Sequence, residues 1–169
     1  VMSLLNEKKQ NRIVFDKALV KDMLDLHLDS YFPWYYASKT TETEKDNYQF
    51  VHTFYKFDKP TSNHFPFIKK FIDSKVKYKK IVYLKSNFTT RKNISKLAFH
   101  QDAPDDRYVS LLYYVNESDG ETVFKIKDKT IKTKPIKGTG LLFKSNINHS
   151  ATNPKKYDSR IVLSCIMEV

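Results

Sequence analysis

From about residue 79 to the end, the chain breaks into short runs rich in β-branched and aromatic residues, separated by turn signals. That texture limits the fold more than any other feature, because strands of this length must pair and bury one face to be stable. The runs are KIVYLKSNF, RYVSLLYYVN, ETVFKIKD, TIKTKPI, TGLLFKS, NHSATN and RIVLSCIMEV. In RYVSLLYYVN a period of two sets Tyr108, Ser110, Leu112 and Tyr114 on one face and Val109, Leu111 and Tyr113 on the other. ETVFKIKD and TIKTKPI read as a hairpin with its turn at Asp128-Lys129.

The first half reads differently. DKALVKDMLDLHLDSYF spaces Leu19, Met23, Leu24 and Leu26 as a helix, with Asp16 at its N-cap. FPFIKKFIDSKV, residues 65–76, predicts a second amphipathic helix through Phe67, Ile68, Phe71 and Ile72. Between them lies an irregular aromatic stretch, FPWYY, followed by the polar run ASKTTETEKDN, the best loop candidate in the chain. Two helices ahead of six or seven strands suggest an α+β chain with a sandwich or barrel at its C-terminal end. At 169 residues one domain is expected, with residues 1–78 a helical, aromatic-rich support and residues 79–169 the β core.

No stretch is apolar for long enough to predict a transmembrane helix, and the N-terminal residues show no secretory h-region. The single cysteine, Cys165, sits in the apolar run IVLSCIM and reads as a buried structural thiol. A reducing, cytoplasmic setting fits this pattern. The formal charge of +11 raises nucleic acid as a partner, but the lysines spread along the whole chain rather than forming one dense patch.

Three features of the β-rich half line up in order. His100 and Asp102, in LAFHQD, stand two residues apart just before a strand, so in extended chain they point to one side. His149 follows the apolar run GLLFKS, and Arg160 opens the last run 11 residues later. Two imidazoles and one carboxylate that leave open positions form a facial triad suited to non-haem Fe(II). An arginine nearby can grip a carboxylate in bidentate fashion.

On these residues the half from roughly 81 to 168 resembles the 2-oxoglutarate/Fe(II)-dependent dioxygenases, closest to the prolyl-hydroxylase-like branch. The motifs are FHQD, LLYYVNESDGETVF, KGTGLLF, NHSATNP and SRIVLS. The resemblance implies a double-stranded β-helix (a jelly-roll, cupin-like core) with the N-terminal helices packed on one sheet. It implies His100, Asp102 and His149 as iron ligands. Arg160 and Tyr114 would bind the far carboxylate of 2-oxoglutarate, and Asn87 would also contact that cosubstrate. Many relatives carry a serine two residues after the arginine; here that position is Val162, and Ser164 follows one alternation later.

The implied cofactors are Fe(II), 2-oxoglutarate and O₂, with ascorbate as an optional reductant. The implied reaction is hydroxylation of an unactivated C–H bond of a peptidyl or amino-acid substrate, releasing succinate and CO₂. Two alternatives stand beside it. One is oxidative demethylation of nucleic-acid bases, which the charge favours and the lack of any arginine after Arg160 disfavours. The other is a non-catalytic basic β-helix that binds nucleic acid or serves as structure.

Overall fold

The computed structural model describes residues 11–41, 47–93 and 97–169. The first ten residues, and residues 42–46 of the polar run read as a loop, lie outside this set.

Seven strands occupy the C-terminal half: β5 (Lys80–Thr90), β6 (Tyr108–Tyr114), β7 (Thr122–Ile126), β8 (Lys129–Thr133), β9 (Thr139–Lys144), β10 (Asn148–Ala151) and β11 (Ser159–Glu168). The N-terminal half supplies two helices, α1 (Lys17–Leu28) and α2 (Phe65–Asp73). It also supplies four strands, β1 (Arg12–Val14), β2 (Tyr35–Ala37), β3 (Gln49–Lys56) and β4 (Lys59–Pro60). The larger sheet runs β1-β9-β6-β11-β5-β3-β2, with β4 joined to β3; the smaller runs β10-β7-β8. Every pairing is antiparallel, and the two sheets form a jelly-roll sandwich.

The N-terminal half is therefore more than helix and irregular chain, because β3 extends the large sheet beyond β5. Its polar residues hide it from a pattern search: Gln49, His52 and Thr53 interrupt the apolar alternation, although Phe54 is fully buried. The β7–β8 turn also differs from the sequence reading by one residue. Ile126 pairs with Lys129, so the turn is Lys127-Asp128, and Lys127 takes a left-handed φ of 53°.

β11 lies at the centre, paired with β5 on one side and β6 on the other. Its alternate residues divide the interior. Ile161, Leu163, Cys165 and Met167 share one buried cluster with Val109, Leu111 and Tyr113 of β6, Met23 of α1, and Ile68, Phe71 and Ile72 of α2. Phe71 stacks on Phe15 at 4.3 Å and meets Tyr113 edge-on at 4.7 Å. Cys165 is fully buried there, and burial pushes its thiol pKa up. On the other face Val162 joins Leu112, Tyr114, Leu141, Phe143 and the small sheet's Phe124 in a second cluster. The alternation expected for β6 is thus the one seen, and its two faces serve two different cores.

Trp34 belongs to the first core: it packs edge-on against Phe32 and Phe88 and donates its indole N–H to the carbonyl of His27 at 3.3 Å. His27 is buried and neutral. Nδ1 donates to the Met23 carbonyl at 2.7 Å, so Nε2 accepts from the Ser86 hydroxyl at 2.7 Å. Burial pulls its pKa from 6.5 to about 4, against the lift from the Met23 carbonyl. The unfolded chain thus binds the proton more readily than the folded one between those values. Stability from this site is complete above pH 6.5 and falls as pH drops toward 4, by about 3 kcal/mol across the window. Urea unfolding between pH 7 and pH 4.5 should show this decline, and His27→Gln should flatten it. An unchanged slope in the variant would remove His27 from the acid response.

Candidate metal centre

The loop before β6 and the start of β10 are tied together by their backbones. His100 and His149 exchange both hydrogen bonds, N–H to O, at 3.0 and 2.9 Å. The amide of Asp102 donates to the carbonyl of Ser145 at 2.8 Å, and Ser145 in turn donates to the carbonyl of Tyr108 at 3.0 Å. These bonds fix three side chains on one side of the sandwich. His100 Nε2 lies 3.5 Å from Asp102 Oδ1, and His149 Nε2 lies 3.6 Å from Asp102 Oδ2. One ligating atom from each residue falls within 4.8 Å of the others.

Each ligand is held by groups behind it. His149 Nδ1 donates to the carbonyl of Ile147 at 2.9 Å, which leaves the Nε2 lone pair aimed at the cluster. The Ser110 hydroxyl donates to Asp102 Oδ2 at 2.6 Å and lies 2.8 Å from Ser145 Oγ. The His149 ring meets Phe143 edge-on at 4.9 Å. His100 is half-buried, and its Nδ1 is buried with no hydrogen-bond partner among the described residues. Gln101 turns outward and donates to the carbonyl of Asn146 at 2.6 Å.

Burial alone would raise the Asp102 pKa, but its contact with His100, the charge of His149 and the Ser110 hydroxyl together bring it below the usual carboxylate value. Burial lowers the pKa of His149, although Asp102 opposes it. Near neutral pH the site therefore offers an ionised carboxylate and a neutral imidazole, the states a divalent ion needs. The donor set (two nitrogens, one oxygen) fits a first-row ion that keeps open positions. Fe(II) fits this arrangement.

A cleft of about 790 Å³, counting space open to solvent, extends from the three ligands across the floor of the large sheet. Arg160 lines it, as do Asn87, Val162 and Ser164. Arg160 is buried; its Nε donates to the carbonyl of Gly120 at 2.9 Å and its Nη2 to the hydroxyl of Thr122 at 3.0 Å. Gly120 is a place of close approach as well as a turn, since a Cβ there would stand 2.6 Å from Arg160 Cδ and 2.7 Å from the carbonyl of Thr152. Gly138 serves a turn, with φ of 79°. Asn87 pairs with Val162, and its Oδ1 is buried without a partner among the described residues. A half-turn of that amide would present Nδ2 to an anionic ligand.

Tyr114 stands differently from the other sequence-chosen residues. Its ring lies in the second core and its hydroxyl meets Thr122 Oγ1 at 2.7 Å, while its guanidinium neighbour Arg160 is 5.8 Å from the ring centre. It does not line the cleft; Thr122 does, carrying hydrogen bonds from both Tyr114 and Arg160. Pattern reading missed Thr122, Ser110 and Ser145. A serine inside the otherwise apolar run VSLLYYV was the one signal available, because a buried hydroxyl needs a partner.

A family model described as the 2OG-Fe(II) oxygenase superfamily matches residues 81–168. No curated protein sequence matches the chain. Among solved structures, the fold is similar to a prolyl-4-hydroxylase from Pseudomonas putida (13% identity, TM-score 0.62, covering 94% of this chain and 92% of that one). It is similar to a prolyl hydroxylase from Trichoplax adhaerens in complex with a hypoxia-inducible-factor peptide fragment (15% identity, TM-score 0.61, covering 95% and 84%). The non-heme alpha-ketoglutarate-dependent epimerase SnoN of nogalamycin biosynthesis is also similar (10% identity, TM-score 0.59, covering 95% and 80%). At these identities the likeness is one of fold.

Proposed function

The chain belongs to the 2OG-Fe(II) oxygenase superfamily, and on that premise we propose that it hydroxylates an unactivated C–H bond of a peptidyl or free amino-acid substrate. It is an oxygenase that uses Fe(II), 2-oxoglutarate and O₂. The observation that carries the reading is the convergence of His100, Asp102 and His149 beside a buried arginine in one cleft.

In this reading Nε2 of His100, a carboxylate oxygen of Asp102 and Nε2 of His149 hold the ion. Bound there with its cosubstrate, Fe(II) supplies the O₂ activation that no side chain of this protein can provide. The side chains supply position. The Ile147 carbonyl keeps His149 in the ligating tautomer, and Ser110 holds Asp102 at one oxygen. Arg160, fixed by Gly120 and Thr122, takes the far carboxylate of 2-oxoglutarate. Tyr114 acts through Thr122 rather than by touching the cosubstrate, and Asn87 lies where it can reach it from β5. The apolar residues Leu112 and Val162 line the floor and help exclude water. Residues 79–169 carry the catalytic core, with the N-terminal helices as a backing layer behind the large sheet.

Two relatives of this fold are prolyl hydroxylases, one of them bound to a peptide. They support the peptidyl or amino-acid class over nucleic-acid bases. Among the described residues no helix is long and apolar enough to cross a membrane.

Adding Fe(II) and 2-oxoglutarate without oxygen should give the visible charge-transfer band of the chelate. Admitting O₂ should then release succinate. His100→Ala should lose both. A wild-type protein without the band would sink the oxygenase assignment. Succinate release stimulated by methylated oligonucleotides but not by peptides or amino acids would overturn the substrate class.

A further inference from the structure

Lys85 stands on β5 in the cleft floor. It pairs with Thr53 of β3 on one side and with Ser164 of β11 on the other, and Ser164 pairs in turn with Leu112 of β6. It shares its face with Asn87 by alternation along the strand. Lys85 is half-buried. A lysine so placed ordinarily has a carboxylate partner. Other basic side chains do: Lys80 meets Asp58 at 2.7 Å, Arg107 meets Asp105 at 2.9 Å and Lys144 meets Asp106 at 3.5 Å. Among the described residues no carboxylate pairs with Lys85. Its ammonium lies 5.2 Å from the centre of the Tyr83 ring, and that of Lys56 lies 5.5 Å from the same ring.

The charges of the loaded site sharpen the point. Asp102 is the one acidic residue lining the cleft among the described residues, against Arg160 and Lys85. Asp102 offsets Arg160, and the 2-oxoglutarate dianion offsets Fe(II). Among the described residues, Lys85 is then the one cleft charge without a counterpart.

Position separates Lys85 from the cosubstrate. Arg160 and Ser164 are four residues apart on β11, so the row that holds Lys85 lies roughly 13 Å along the strand from Arg160. An extended five-carbon diacid spans roughly 6 Å. The Arg160 guanidinium, moreover, turns toward Gly120 and Thr122 rather than toward β5. Across the sheet, Lys85 is two strands from Leu112, roughly 10 Å, and Leu112 neighbours the Ser110 that holds Asp102. A lysine side chain covers about half of that distance.

We propose that Lys85 is the substrate-anchoring residue: it pairs with a carboxylate on the organic substrate, a few bonds from the carbon that is oxidised. The substrate class is then an acid, either a free amino acid or a peptide whose carboxylate lies close to the reacting carbon. This rests on the oxygenase reading above and narrows it.

The test uses the full chain with Fe(II) and 2-oxoglutarate. Succinate release is followed on adding each of the common free amino acids, the matching carboxamides, and peptides ending in the same residues with free or amidated C-termini. At least one acid should stimulate release about tenfold or more, in line with a charge-assisted bond, and its amide should not. The active arm, free amino acid or peptide, identifies the source of the carboxylate. Lys85→Met should raise the KM for that acid by roughly tenfold or more with a smaller change in kcat, and Lys85→Arg should recover part of the loss. The anaerobic chelate band of Lys85→Met should report wild-type affinity for 2-oxoglutarate and show that the variant is folded. The proposal is overturned if amides match acids or if no acid stimulates. It also fails if Lys85→Met weakens 2-oxoglutarate as much as it weakens the acid. A wild-type protein lacking the band would instead bring down the oxygenase reading itself, so the two failures are distinct.

Discussion

Asp102→Ala is expected to lose Fe(II) binding by more than about a hundredfold, and succinate release with it, because groups that merely orient a ligand already contribute 10–100-fold. The substitution removes the only anionic donor of the triad and leaves two neutral imidazoles facing a dication. The fold should tolerate it. The amide of residue 102 bonds to the carbonyl of Ser145 whatever the side chain, and Ser110 keeps Ser145 Oγ as a neighbour at 2.8 Å. Ser110→Ala should act in the same direction but by about tenfold, since it frees one oxygen of Asp102 without deleting it. Metal titration followed by the anaerobic band, with thermal unfolding alongside, separates the two effects. Undiminished Fe(II) affinity in Asp102→Ala would mean that the ion sits elsewhere.

The order His100, Asp102, His149, Arg160 could be read from the sequence because strand ends keep chemistry and spacing together. Extended backbone sends residues 100 and 102 the same way, and an apolar strand ahead of His149 fixes where it emerges. β6 was legible for a related reason: one face meets the cleft and the other a helix-lined core, so both alternations are informative. β3 was not, since its residues face a polar cleft on one side and its buried face carries His52. The β7–β8 turn slipped by one residue because Lys127-Asp128-Lys129 offers no glycine or asparagine to mark the left-handed position. Alternation gave Tyr114 its face, whereas only the fold shows that its hydroxyl meets Thr122 Oγ1, to which Arg160 Nη2 also donates. Lys85 was hidden by abundance: with 30 lysines and arginines, one cleft-facing lysine carries no signal of its own.

Arg160→Met should weaken 2-oxoglutarate binding by roughly 10–150-fold, the range for losing a charge-assisted pair with a carboxylate, while Fe(II) binding alone stays near wild type. The methionine fills much of the stem's volume, so the apolar contacts beneath it persist. What it leaves behind is the carbonyl of Gly120 without its donor, whereas Thr122 keeps Tyr114. A stability loss of about 1–3 kcal/mol from that orphaned acceptor is therefore expected in the same variant. Stability loss alone does not establish a role in binding, and Gly120→Ala separates the two. That change keeps the guanidinium, but its new Cβ would fall 2.6 Å from Arg160 Cδ and 2.7 Å from the Thr152 carbonyl, so the arginine stem must move. If the arginine anchors the cosubstrate, displacing it should weaken 2-oxoglutarate in the same direction as deleting it. If Arg160 only stitches β11 to the start of β7, both variants will melt earlier and still bind 2-oxoglutarate as the wild type does. That result would move the anchor to Asn87, whose amide also lines the cleft and has a buried Oδ1 without a partner among the described residues.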